Sequence, residues 1–241
     1  MAGGTYTALS GLRARTEQLD RLAADIANVN TAGYKAERVT TVATSRPSFS
    51  QALETAIDVA AGPGRLDLRN GSIQATGRDL DFVIEGRGFF EIETPNGPRY
   101  TRNGQFGRRA DGTLVTSDNL PVMGADGPLS VGRNGTLEVD ADGTLRVGGV
   151  VAGRLKIVDF EDYTGLAREE AGRFRAAPGR TPVERPGTTV KNAALESSNV
   201  SMAERMVQIT EVTRAFEALQ RGVSILANDL DGRAITELGR R

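Results

Sequence analysis

Between Met202 and Leu230 the chain reads MAERMVQITEVTRAFEALQRGVSILANDL, and apolar residues recur at every third or fourth position: Met202, Ile209, Val212, Phe216, Leu219, Val223, Leu226 and Leu230. Only Arg205 breaks the rhythm. That spacing gathers the apolar side chains onto one stripe of a helix, the pattern of a coiled-coil seam. Ser197-Ser198-Asn199 offers side chains able to cap the start of the helix, and Asp231-Gly232 predicts a stop or a bend near Asp229.

The other end of the chain mirrors this one. Leu9, Leu12, Leu19, Ala23 and Ile26 keep the same spacing, with Thr16 in the missing position and Leu22 and Val29 widening the stripe. Arg13, Glu17, Arg21 and Asp25 step by four along another face with alternating sign, which predicts a solvated face of ion pairs. Asn30-Thr31-Ala32-Gly33 closes the helix, since Asn and Gly tolerate the left-handed conformation of a helix end. Two seam-bearing helices separated by roughly 160 residues can pair only if the termini come together.

The middle has a different texture. Asn-Gly or Asp-Gly pairs begin at Asn70, Asn96, Asn103, Asp111, Asp126, Asn134 and Asp142, each a hairpin signal. Short strands are expected between them. Leu80, Phe82 and Ile84 alternate with Asp81, Val83 and Glu85, and Gly-Thr-Leu recurs at Gly112, Gly135 and Gly143 as a reused turn-into-strand unit. The expected class is α+β: terminal coiled-coil helices paired with each other (1–35 and 190–241), a connector (36–61) with a short helix at 49–57, and a central all-β domain of short strands (62–189). Pro- and Gly-rich 176–189 reads as a second extended connector.

Composition removes most chemistry. The 241 residues, 39% of them apolar, suffice for one or two domains with a sizeable core, but they include no cysteine and no histidine. Disulfides, thiol nucleophiles, Cys/His metal sites and histidine-dependent triads are thereby excluded. Acids and bases nearly balance, 31 against 30, and are intermixed, so no one-sign field for nucleic acid forms. No apolar run of membrane-spanning length occurs, and charges at Arg13, Arg15, Glu17, Asp20, Arg21 and Asp25 interrupt the region where a cleaved signal needs its apolar core. The expectation is a chain that is not inserted in a membrane and keeps its N-terminus.

The remaining motifs are weak. Gly86-Arg87-Gly88 precedes a strand, Phe89-Phe90-Glu91-Ile92, whereas a phosphate loop needs a helix N-terminus behind it. Asp140-Ala141-Asp142-Gly143 opens like a calcium loop but has Leu145 and Val151 where the glycine and the final glutamate belong. Asp79, Asp81, Glu85, Glu91 and Glu93 could supply a glycosidase pair, but the alternation places them mostly on a solvated strand face, without the aromatics that hold sugars. No catalytic, cofactor-binding or metal residue is assigned.

Four stretches carry a family resemblance. Ile26 to Lys35 (IANVNTAGYK), Leu80 to Phe90 (LDFVIEGRGFF), Tyr100 to Phe106 (YTRNGQF) and Leu195 to Val200 (LESSNV) with the helix behind it resemble the signatures of the flagellar axial proteins, the rod, hook and hook-associated family. The motif positions are Asn28, Asn30, Thr31, Gly33, Gly86, Gly88, Asn103, Gly104 and Asn199; Arg87 departs from the acidic residue more usual there. The resemblance implies that both terminal helices form an inner coiled-coil domain lining a narrow export channel, with the β domain outside. It further implies that subunits stack helically with themselves and other rod proteins into a drive shaft spanning the periplasm within the basal body. It also implies secretion through the flagellar type III export apparatus, a route that suits a cysteine-free chain. The short length implies a proximal rod subunit, with the distal rod subunit as the alternative and a carboxylate hydrolase with helical dimerisation arms as a reading of another class.

Overall fold

The computed structural model of the chain describes residues 2–39, 64–132, 135–185 and 187–238. Most of the connector, including the helix expected at 49–57, lies outside the described residues; its start, Glu37–Val39, is a strand paired with Gly64–Leu66. Two helices, α1 (Ala2–Ala27) and α2 (Met202–Leu238), bracket a succession of short strands, the α+β arrangement that the two hydrophobic periodicities predict. The chain divides into two compact units. One holds both helices, and the other holds Asn28–Ala36 together with Leu66–Val200.

In the β unit, six strands form an antiparallel sheet in the order Leu166–Arg168, Arg173–Ala176, Gly97–Thr101, Phe89–Thr94, Ile157–Asp159, Val183–Glu184. Neighbouring residues of a strand point to opposite faces, and here both faces are covered. Phe90 joins one core with Phe82, Ile84, Ile92, Phe106 and Leu114, while Phe89 joins another with Tyr100, Val158, Phe160 and Phe174. Phe90 meets Phe106 edge-on at 5.2 Å and Phe89 meets Phe174 at 5.4 Å. The leucines of all three Gly-Thr-Leu turns, Leu114, Leu137 and Leu145, enter the first core, so the reused tripeptide is a reused way of driving a turn into that core.

Five expectations need correction. Val83 is buried like its neighbours, because strand Phe82–Glu85 has no wet face. Asp81 and Glu91 are also buried, each neutralised locally: Asp81 by Arg78 and by the Thr76 hydroxyl at 2.7 Å, Glu91 by Lys156 at 2.9 Å. The stretch 176–189 is more than a connector, since Val183–Glu184 forms the sixth strand of the sheet. Helix α2 does not stop at Asp231-Gly232 but continues to Leu238, as a helical glycine costs only about 1 kcal/mol and does not by itself end a helix. Its start is capped by Ser201, whose hydroxyl accepts the Glu204 N–H at 3.4 Å; Asn199 is engaged elsewhere.

Candidate functional site

Three signature strings converge in the β unit on one buried carboxylate. The Lys35 ammonium lies 2.6 Å from Glu196 Oε1, with side-chain exposures of 0% and 2%, and the Arg102 guanidinium lies 3.4 Å from Oε2. The Gly71 N–H donates to Glu196 Oε1 at 2.9 Å. Main-chain carbonyls take further donors of both cations. Lys35 donates to the Arg69 carbonyl at 2.9 Å, and Arg102 donates to those of Ile84 at 3.3 Å and Gly86 at 2.6 Å. Burial pushes the Lys35 ammonium below its ordinary value while Glu196 opposes the shift, and burial likewise lowers Arg102. Removing one partner of such a buried pair costs about 3–5 kcal/mol, which makes the cluster a strong specifier of how these segments meet.

Glycines and one asparagine let the backbones close around the cluster. Gly33 has φ +67°, and a β-carbon there would stand 2.3 Å from the Arg102 carbonyl carbon. Gly71 and Gly104 belong to Asn-Gly pairs yet do not need the left-handed conformation. Their constraint is contact: a β-carbon would fall 1.9 Å from the Ser197 oxygen and 1.8 Å from the Phe82 oxygen. Asn199 accepts the Ala36 N–H at 2.7 Å and donates to the Asp67 and Arg69 carbonyls at 2.6 and 3.1 Å. The Gly33 N–H donates to the Glu196 carbonyl at 2.7 Å, and Arg168 stacks over the Tyr34 ring at 4.5 Å. The chain leaving α1 and the chain entering α2 thus run side by side through this cluster.

The other motif positions are structural in the same sense. The Asn28 side chain accepts the Thr31 hydroxyl at 3.1 Å in the turn after α1, where Asn30 is exposed. Gly86 and Gly88 have φ +108° and +121°, and Gly88 is pressed against Ile157. Asn103 folds its side chain over the Gln105 N–H at 2.9 Å.

In the helical unit α1 and α2 pair antiparallel. Asp25, near the end of α1, meets Arg205, near the start of α2, at 3.0 Å, and Gly11 faces Leu219 midway along α2. This corrects the reading of Asp25 as part of a wet face. It is buried, and its partner is the residue that breaks the seam of α2, so the interruption in one stripe answers a charge on the other helix. Arg13 and Glu17 do form an exposed pair at 3.3 Å. Of the expected seam, Val212 is buried and Leu12, Leu19, Ile26, Ile209, Phe216, Leu219 and Val223 are half-buried, with Leu22 buried beside them. Leu9, Ala23 and Met202 are exposed in the single chain, and the side chains of Leu226 and Leu230 lie outside the described residues. Periodicity does not single out Lys35, Arg102, Glu196 or Asp25; a charge within a signature string, and one of only three lysines in the chain, were the signals available.

Among the described residues no group of three or more acidic side chains could hold a metal ion, and no helix is long and apolar enough to cross a membrane. Among the described residues the buried carboxylates Asp81, Glu91 and Asp159 are each ion-paired. A chain whose ends meet as a helix pair, and whose signature residues are spent on holding backbones together, is built as a structural subunit. Residues 6–35 match the family described as flagella basal body rod protein, residues 83–147 the flagellar hook protein FlgE/F/G D1 domain, and residues 191–236 the flagellar basal body rod FlgEFG protein C-terminal family. The chain is 35% identical to the flagellar basal-body rod protein FlgF of Rhizobium meliloti over 99% of both chains, and 29% identical to the FlgF of Caulobacter vibrioides over 100% of this chain and 99% of that one. It is 29% identical to the rod protein FlgG of Bacillus subtilis over 90% of this chain and 92% of that one. It belongs to the family of flagellar basal-body rod proteins and is FlgF-like.

Proposed function

We propose that this chain assembles into the rod through its paired terminal helices, stacking with copies of itself and with other rod proteins so that the helices line the export channel and carry torque. The observation that carries the reading is the apolar surface left open on both helices, with Leu9 64%, Val207 59% and Ile225 68% exposed. Val207 and Ile225 lie about five turns apart on one side of α2, away from the buried face that meets α1. Apolar side chains aligned along a helix and unpartnered within the chain call for a partner outside it. The role is non-catalytic, consistent with carboxylates that are individually neutralised. Delivery through the type III export apparatus suits a sequence without cysteine. End-to-end likeness to FlgF relatives supports the proximal part of the rod over the distal.

The test is complementation of a deletion strain. Val207→Asp with Ile225→Asp puts two charges on the open face and spares the α1–α2 contact. Swimming should be lost while the purified variant keeps wild-type helix content. Normal motility would remove this face from the assembly. Glu217→Gln, a charge-removing change at an exposed position of the same helix, is the control expected to swim.

A further inference from the structure

An asparagine followed by glycine is a turn signal and also a reactive pair, because a glycine, having no side chain, lets its amide nitrogen reach the carbonyl carbon of the asparagine side chain. The chain has four Asn-Gly pairs, at Asn70, Asn96, Asn103 and Asn134, the last of which lies outside the described residues. Two of the other three are locked. The Gly71 N–H is given to Glu196 Oε1 at 2.9 Å, and a β-carbon on Gly71 would fall 1.9 Å from the Ser197 carbonyl oxygen. Gly104 is buried, a β-carbon there would lie 1.8 Å from the Phe82 oxygen, and the Asn103 side-chain oxygen is held by the Gln105 N–H at 2.9 Å.

Asn96 differs on each count. It is exposed, its side chain enters no hydrogen bond among the described residues, and a β-carbon on Gly97 would meet nothing within 4 Å. The pair forms the tip of the hairpin of Phe89–Thr94 and Gly97–Thr101, whose last rung joins Thr94 to Gly97. An end rung opens most readily. Arg99 Nη1 donates to the Asn96 carbonyl oxygen at 3.2 Å and to the Pro98 oxygen at 3.1 Å, while Arg99 Nε is anchored on Glu169 at 2.7 Å. The Asn96 carbonyl belongs to the same amide as the Gly97 nitrogen. When that nitrogen loses its proton, the negative charge spreads onto the oxygen, where the guanidinium receives it, so Arg99 makes the Gly97 N–H more acidic.

We propose that Asn96 is a self-modifying site, at which the Gly97 nitrogen attacks the Asn96 side-chain carbonyl while Arg99 stabilises the attacking amide. Solvent hydroxide takes the Gly97 proton, the bond from nitrogen to Cγ forms, and the Cγ–Nδ2 bond breaks, with Nδ2 leaving as ammonia on a proton from water. The product is a five-membered succinimide. Water then adds to either ring carbonyl: opening at Cγ leaves an aspartate, and opening at the main-chain carbonyl leaves an isoaspartate, whose backbone runs through the side-chain carbons. One water enters, one ammonia leaves, and no electron is transferred. The hairpin tip gains a negative charge beside Arg99.

Each pair falls in its own tryptic peptide, 70–78, 88–99 and 103–108, with a single asparagine in each. The purified full chain is held in mildly alkaline buffer, folded or in urea, and samples taken over time are digested and analysed by mass spectrometry. Conversion of amide to acid raises the peptide by one mass unit and splits it into aspartyl and isoaspartyl forms. In the folded chain Asn96 should convert at least tenfold faster than Asn70 or Asn103, and in urea the three rates should come together. Asn96 converting no faster than either of them in the folded chain, or the same spread persisting in urea, overturns the proposal. Arg99→Gln should slow Asn96 at least threefold in the folded protein and leave its rate in urea unchanged. An unchanged rate in the folded variant overturns the mechanism, and the comparison of the three pairs in the wild-type chain stands whether or not that variant folds. Asn96→Gln, whose attack would need a six-membered ring, should leave the 88–99 peptide unshifted; a shift there would place the reaction elsewhere and overturn the site.

Discussion

Glu196 is the residue on which the β unit closes, because its buried carboxylate answers both Lys35 and Arg102. Glu196→Gln should lower stability by about 3–5 kcal/mol, read from denaturant unfolding, whereas Glu217→Gln should change it by less than about 0.5 kcal/mol. Lys35 gives a spectroscopic counterpart. Burial lowers its proton affinity and Glu196 restores part of it, so its ammonium should titrate below the ordinary lysine value in wild type and lower still in Glu196→Gln. With only three lysines, side-chain carbon shifts can follow it. The sign is fixed: between the lowered value and 10.5 the unfolded chain holds the proton that the folded chain has released, so the Lys35 contribution to stability rises with pH across that window. A Lys35 midpoint at or above 10.5 would contradict the burial of this group. Lys35, Arg102 and Glu196 stand inside signature strings, but nothing local in the sequence connects positions so far apart. Asp25 was misread for a related reason: charges spaced by four describe a wet face only when no second helix carries an answering cation.

The helix pair was legible because its 3-4 periodicity is a one-dimensional record of a buried stripe. Its detail was not. The cap fell to Ser201 because Asn199 is committed to Ala36, Asp67 and Arg69, a demand invisible from the string Ser197-Ser198-Asn199. Ser201→Ala should therefore cost about 1 kcal/mol of helix stability, seen as reduced helicity on warming, while Ser197→Ala leaves the helix unchanged. Leu219→Asp tests the pair itself. A charge against Gly11 and α1 should separate the helices, lower helical circular dichroism and abolish motility, while the β-unit resonances keep their positions. Unchanged helicity would show that α1 and α2 do not depend on this contact. For the strands, turn chemistry marked where hairpins fall, but coverage of both sheet faces follows from how the strands stack, and alternation alone misplaced Val83, Asp81 and Glu91.

At the scale of the whole molecule, the segment after α1 and the segment before α2 belong with the strands: 28–36 and 66–200 form one unit. A fragment spanning 28–200 should fold with the β-unit spectrum of the full chain. A fragment of 62–189, the span expected from composition, lacks both Lys35 and Glu196, leaves Arg102 without its carboxylate, and should unfold at least about 3 kcal/mol more easily. Equal stability of the two fragments would show that the charge cluster is dispensable. The apolar residues open on α1 and α2 place the complementary requirement outside the single chain. Cryo-electron microscopy of basal bodies from cells carrying this protein tests that requirement most directly. We expect α1 and α2 to lie paired along the shaft with Leu9, Val207 and Ile225 each covered by a neighbouring subunit; those side chains facing open solvent in the assembled particle would contradict assembly through the terminal helices.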